Sequence, residues 1–260
     1  MKKACSTHGD KSPPQSGGKP PHSKNGFTLL ELLVCIVIIG ILASALIPGI
    51  TTARELARST VCKSNLRQMI VAAHAYAASH DDDMPPATIN NTSWETILWE
   101  YDTRSSRSDA NEKIFQCPSF KGKANWKSDR YTGYNYNASY LGGQYAAVNG
   151  CLRGDPPSAS IGDVSNPGQC AVFGDGQFEG GANKFMRSPF KGELDMDNSL
   201  ATSGTQGFRH RGSTNVAFLD GSVRSLKERF TSNGGGRGGG AAVATGCGFL
   251  SVNNAMYNYD

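Results

Sequence analysis

The sequence predicts an α+β fold, with one very long N-terminal helix leading into a strand-rich head. Three features predict it: an apolar run from Phe27 to Ile47, an amphipathic continuation to about Ser79, and short strand-like segments that end in a hairpin pattern around Asp220-Gly221.

The apolar run is 21 residues long. As an α-helix it spans about 31 Å, close to the roughly 30 Å hydrocarbon core of a bilayer. A helix satisfies its backbone groups internally, so such a run can sit in lipid. Glu31 interrupts it. An ionisable side chain in an apolar span is costly and points to a functional partner. A carboxylate about 6 Å from the helix start also reaches the headgroup level unaided, which is the plainer reading. Pro48 removes one backbone hydrogen bond and Gly49 softens the next turn, which predicts a kink.

Beyond Pro48 the helix becomes amphipathic. Leu56, Val61, Met69, Ala73 and Tyr76 recur near helical spacing, and Leu66 and Ile70 widen the stripe. Arg54, Glu55, Arg58, Lys63 and Arg67 take the polar positions, so this half has a face to bury. Asp81-Asp82-Asp83-Met84-Pro85-Pro86 ends the helix in a solvated turn, because two prolines cannot continue it and three acids oppose its dipole.

Thr92 to Tyr101 reads as a short helix capped by Ser93, with Trp94, Ile97, Leu98 and Tyr101 at helical spacing. A more irregular region opens at Phe115-Gln116-Cys117-Pro118. Tyr131 to Tyr136 alternates like a strand, and Gln169 to Phe173 is a short apolar strand closed by Gly174-Asp175-Gly176. Thr214–Leu219 and Ser222–Leu226 flank Asp220-Gly221, which predicts a two-residue turn with positive φ at both centres. Asn233 to Ala242 is a glycine-rich loop without the G-K-[ST] ending of a phosphate loop. The tail from Phe249 to Asp260 is apolar enough to add an edge strand or to pack on the head.

The chain holds 26 basic and 22 acidic residues. Lys2, Lys3, Lys11, Lys19 and Lys24 precede the apolar run against Asp10 alone, and 21 residues of each sign remain after that segment. The basicity therefore belongs to the first 26 residues. There the positive-inside rule holds the N-terminus in the cytoplasm and sends the rest to the periplasm or beyond. The neutral remainder offers no basic field for nucleic acid.

Seven cysteines occur, at Cys5, Cys35, Cys62, Cys117, Cys151, Cys170 and Cys247. Cys35 reads as a small apolar residue of the membrane helix. Cys62, Cys117, Cys151, Cys170 and Cys247 are candidate disulfide partners in an oxidising compartment, with at most two bridges and one thiol left over. A bridge from Cys62 would clamp the helix to the head. No C-x-x-C spacing supports zinc, so no metal is expected.

The order Gly26-Phe27-Thr28-Leu29-x-Glu31, then Leu32-Leu33, Ile38-Ile39-Gly40-Ile41-Leu42-Ala43 and Pro48, resembles the N-terminus of type IV pilins and type II secretion pseudopilins. The resemblance implies that a prepilin peptidase cuts after Gly26 and methylates the new amine of Phe27. Glu31 then becomes the fifth mature residue and Pro48 the twenty-second, where such helices kink. It further implies that Glu31 pairs with the Phe27 amine of a neighbouring subunit, as a carboxylate among packed apolar helices needs a cation. The implied organisation is a leader at 1–26, a transmembrane and filament-core helix at 27–50, its amphipathic continuation at 51–80, and a head at 81–260 that includes the loop 233–242. The head would be an antiparallel β-sheet packed on the outer helix, as in pilins. The implied partners are the peptidase, other pilin or pseudopilin subunits, and the secretion or pilus assembly machinery. The implied location is single-pass in the inner membrane with a periplasmic head, or extracellular in a pilus. An ordinary secretory signal ending at Ala43-Ser44-Ala45 competes, but Glu31, the long leader and the full motif order weigh against it.

His210, nine residues, then Asp220-Gly221 resembles the C-terminal signature of a large group of prepilin-like proteins, together with Cys117-Pro118 and Gly174-Asp175-Gly176. That likeness implies architecture rather than activity. His210 and Asp220 invite a triad reading. Asp220 is explained by the turn, however, and no G-x-S-x-G elbow is present, so no catalytic residue is expected. Some pseudopilins hold calcium in the head. Asp81–Asp83 offer too few oxygens and no D-x-D-x-D-G loop, so no cofactor is expected and calcium stays an open alternative. The expected function is a prepilin-like structural subunit. The alternatives are a minor tip subunit or surface-binding adhesin, and a secreted or membrane-anchored periplasmic enzyme.

Overall fold

The computed structural model describes residues 27–89, 92–101, 113–122, 133–138, 140–142, 158–177, 181–189, 206–231 and 246–257. Two compact units divide the chain, Met1–Pro48 and Gly49–Asp260. Helix α1 (Leu29–Ala77) is continuous in secondary structure through Pro48. Thr28 caps its start, its Oγ1 accepting from the Glu31 amide at 3.2 Å. In the first unit the large apolar side chains from Leu29 to Ile47 are 49–83% exposed.

In the second unit α1 buries Cys62, Leu66, Met69, Ala73 and Ala77, spaced by three and four residues, with Asn65, Ile70 and Ala72 beside them. Leu56 and Val61, expected in the stripe, lie off this line and stay exposed. Cys62 takes the position that periodicity had given to Val61. The helix ends at Ala77, where Asp81 and Asp82 adopt φ of 51° and 64°. The amide of Asp82 returns to the Ala77 carbonyl at 3.0 Å. All three acids are exposed, in keeping with a solvated turn.

Strands β1 (Thr88–Ile89) and β2 (Thr92–Ser93) pair and lead into helix α2 (Trp94–Trp99). Ser93 is extended, as a cap should be, but makes no capping bond. Its hydroxyl accepts from Lys184 Nζ at 3.4 Å instead. Trp94 is fully buried and packs at 5.2 Å on Phe173 and 5.8 Å on Tyr136.

The remaining strands are β3 (Tyr134–Asn137), β4 (Ala171–Asp175), β5 (Phe185–Met186), β6 (Gln206–Gly207), β7 (Thr214–Phe218), β8 (Val223–Leu226) and β9 (Cys247–Gly248). Five of them form a sheet in the order β5-β3-β4-β7-β8. Among the described residues, only the β5–β3 pair is parallel. Every residue of β4 and β7 is buried, as expected of strands covered on both faces. One face packs on α1 and α2 through Leu66, Met69, Trp94, Tyr136 and Phe173. The other meets Leu250 and Tyr257 of the tail. The tail thus packs on the head, with β9 paired to β6 and the Met256 carbonyl accepting from the Ala171 amide at 2.9 Å.

The structure departs from two expectations. Strand β4 does not stop at Phe173. It runs through Gly174 and Asp175, because the glycines permit close approach rather than a turn. A Cβ on Gly174 would fall 2.5 Å from Gln206 Oε1, and one on Gly176 would fall 2.1 Å from the Asn183 carbonyl oxygen. The hairpin between β7 and β8 turns through Leu219, Asp220 and Gly221. The Phe218 amide donates to Ser222 O at 2.9 Å, and Gly221 alone takes positive φ, at 81°. This is the wider turn-plus-bulge connection rather than the two-residue one. The glycine-rich loop 233–242 and the first two residues of the expected strand, Tyr131 and Thr132, lie outside the described residues.

Candidate functional site

Two regions carry functional groups. The first is the start of α1. Phe27 is 82% exposed just ahead of the helix, and Glu31 sits in its first turn. Gly26 lies outside the described residues. Pro48 lies inside the helix. The run is long and apolar enough to cross a membrane.

The second region is a buried cluster in the head, and it gathers residues that are far apart in sequence. Helix α1 presents Cys62 on its buried face, and Cys117 follows a 3-10 turn at Lys113–Phe115. Asp175 ends β4, and His210 precedes β7. All four are buried, and their donor atoms lie within 4.8 Å of one another. Cys62 Sγ is 3.1 Å from Asp175 Oδ1, and the two Sγ atoms are 3.9 Å apart. His210 Nε2 is 3.3 Å from Asp175 Oδ2 and 3.7 Å from Cys117 Sγ. His210 Nδ1 is buried without a hydrogen-bond partner among the described residues.

Arg209 closes the cluster from its outer side. Its guanidinium reaches Cys117 Sγ at 3.2 Å, Asp175 Oδ1 at 3.0 Å and the Gly176 carbonyl at 3.1 Å, and also bonds the Gly133 carbonyl. The Asn215 amide donates to Asp175 Oδ2 at 2.7 Å. Burial alone would raise the Asp175 carboxyl, but the Arg209 charge and the His210 bond bring it below its ordinary range. Burial likewise works against a charged His210, and its bonds to Asp175 and Cys117 outweigh that, carrying it up to about 9. The bond from Cys62, then His210 and Arg209, draws the Cys117 thiol down to about 5, while burial pushes Cys62 up. The cluster thus brings opposed charges together in the buried interior, where pairing decides whether they are tolerated.

The structure separates other residues that sequence reasoning had grouped. Asp220 is exposed in the β7–β8 turn, its Oδ1 accepting from the Ser222 amide at 2.8 Å. It serves the turn, whereas the acid beside His210 is Asp175. Among the described residues, no disulfide joins Cys62, Cys117, Cys170 or Cys247 to another. The Cys62 sulfur meets Cys117 at contact distance, well beyond the roughly 2.05 Å of a disulfide bond. Cys170 faces the Tyr257 carbonyl at 3.7 Å. Cys151 lies outside the described residues. Sequence reasoning missed Asp175 and Arg209. The available signals were an acid between two glycines that cannot tolerate a Cβ and an arginine adjoining the motif histidine.

Residues 21–47 match the family described as the prokaryotic N-terminal methylation motif. Residues 51–101 match a family described as a protein of unknown function, DUF1559. The chain is 35% identical over 63 residues to competence protein ComGC of Halalkalibacterium halodurans, covering 24% of this chain and 62% of that protein. It is 36% identical over 53 residues to type II secretion system core protein G of Pseudomonas aeruginosa, covering 20% and 37%. It is 49% identical over 45 residues to the type IV wide pilus major component PilA4 of Thermus thermophilus, covering 17% and 34%. The chain thus spans between about a third and 62% of the length of these relatives. No solved structure matches it. The methylation motif, these relatives and the exposed apolar helix fit a pilin-like protein that is membrane-anchored or pilus-associated.

Proposed function

We propose that this chain is a structural subunit of a type IV pilus or a type II secretion pseudopilus. A prepilin peptidase would remove residues 1–26 and methylate Phe27, and the helix from Phe27 onward would pass from the inner membrane into a filament core. The observation that carries this reading is the methylation motif at 21–47 running directly into a helix whose apolar side chains are exposed. An apolar surface of that extent is not stable in water and calls for lipid or for other helices. In such a core Glu31 needs a cation, and the amine of a neighbouring Phe27 supplies one. Each subunit would then be set one position along the filament by one ion pair. No step of this function requires catalysis by the head, whose packed sheet presents loops at the filament surface.

Glu31→Leu tests the reading. The variant should insert in the membrane as the unmutated chain does, yet be lost from sheared filaments or from cross-linked pseudopilus fractions. Unimpaired incorporation of Glu31→Leu would remove the register role.

A further inference from the structure

We propose that Cys62 Sγ, Cys117 Sγ, one oxygen of Asp175 and His210 Nε2 hold a single structural zinc ion inside the head. The proposal stands on the distances between the donors. Zinc binds thiolate sulfur at about 2.3 Å and imidazole nitrogen or carboxylate oxygen at about 2.0–2.2 Å. A regular tetrahedron with those radii has edges of about 3.8 Å between sulfurs, about 3.5 Å from sulfur to nitrogen and about 3.4 Å from nitrogen to oxygen. The corresponding separations here are 3.9 Å, 3.7 Å and 3.3 Å. Cys62 Sγ lies 3.1 Å from Asp175 Oδ1, closer than the roughly 3.6 Å of a sulfur–oxygen edge, so this pair would open on binding. All four donor atoms lie within 4.8 Å of one another, so side-chain shifts suffice to bring them to one ion.

The donor set selects the metal. Two thiolates and an imidazole suit zinc, whereas calcium requires six or more oxygens. Four protein ligands fill a tetrahedral site, which makes it structural rather than catalytic. Charge supports the same assignment. Two thiolates and a carboxylate around a divalent ion leave one negative charge. Arg209, hydrogen-bonded to Cys117 Sγ and Asp175 Oδ1, neutralises it from the next layer. A disulfide between Cys62 and Cys117 would use neither Asp175 nor His210, although both converge on the sulfurs.

The site explains why four separate parts of the head meet here. Zinc would join α1 to β4 and to the segment before β7, so the clamp expected of a Cys62 bridge would be made by a metal. It also assigns the histidine of the C-terminal motif a role as ligand.

The test uses the full chain, purified in detergent, reduced, and equilibrated with zinc before removal of the excess. Elemental analysis should find one zinc per chain, retained in Cys35→Ala and lost in Cys62→Ser and His210→Ala. A variant that fails to fold would also lose metal, so exchange of cobalt(II) into the unmutated chain is the deciding readout. It should produce the intense visible bands of tetrahedral cobalt with thiolate charge transfer. An unmutated chain that binds neither metal overturns the proposal. So does a cobalt spectrum without thiolate bands, or peptide mapping that finds a Cys62–Cys117 disulfide in the chain as isolated from membranes.

Discussion

Replacing Gly176 with alanine should destabilise the head sharply. The added Cβ would fall 2.1 Å from the Asn183 carbonyl oxygen and 2.9 Å from the Tyr134 carbonyl oxygen. Both are backbone atoms, and Tyr134 belongs to β3 near the centre of the sheet. Neither can swing away as a long side chain would. Overpacking typically costs about 1–3 kcal/mol, and rigid neighbours place this case near the upper end, at about 3 kcal/mol. For a domain of this size that corresponds to a fall in Tm of about 6–12 °C. The assay is thermal unfolding of the full chain in detergent, followed by circular dichroism. Gly162→Ala is the control, since the nearest atom to its Cβ is Ser160 Oγ at 3.9 Å. If the two variants melt within about 1 °C of each other, Gly174-Asp175-Gly176 is not the close-packed element described above.

Trp94→Ala should cost about 3–5 kcal/mol, read by chemical denaturation, because it empties the fully buried contact between α2 and the sheet and removes the Nε1 donor to Lys184 O. Burial raises the Glu95 carboxyl despite the Lys184 ammonium at 3.1 Å. A raised acid binds its proton more tightly in the folded state, so stability should fall as pH rises from the ordinary glutamate range through the raised value. Glu95→Gln should abolish that fall, and a pH–stability profile identical in the two proteins would contradict it. If the zinc site is present, a strong chelator should lower the stability of the unmutated chain by about 4 kcal/mol, the linkage expected at a thousandfold excess over Kd. The same chelator should leave His210→Ala unmoved.

Local signals were readable because they depend on neighbours in sequence. The apolar run, the helix face through Leu66, Met69 and Ala73, and the β7–β8 hairpin all follow from spacing and turn chemistry. Even there Leu56 and Val61 misled, since a stripe read as hydrophobic residues alone passed over Cys62 and Asn65 on the buried face. The head cluster could not be read this way. Cys62 and Cys117 are 55 residues apart and Cys117 and His210 are 93 apart, with no local pattern linking them. Asp175 looked like part of a turn because glycines flank it. Their actual role, clearance against Gln206 and Asn183, appears only once β4, β6 and the Asn183 segment are packed. The tail was equally opaque. Its place depends on Asn137, whose side-chain amide donates to the carbonyls of Ala171 and Tyr257, both at 2.8 Å.

The most direct test of the proposed function is the mass of the mature N-terminal peptide from membranes of the producing cell. Processing on the prepilin pathway predicts a peptide that begins at N-methylated Phe27. A peptide that begins after Ala45 would contradict it, because cleavage there discards the helix on which filament assembly depends.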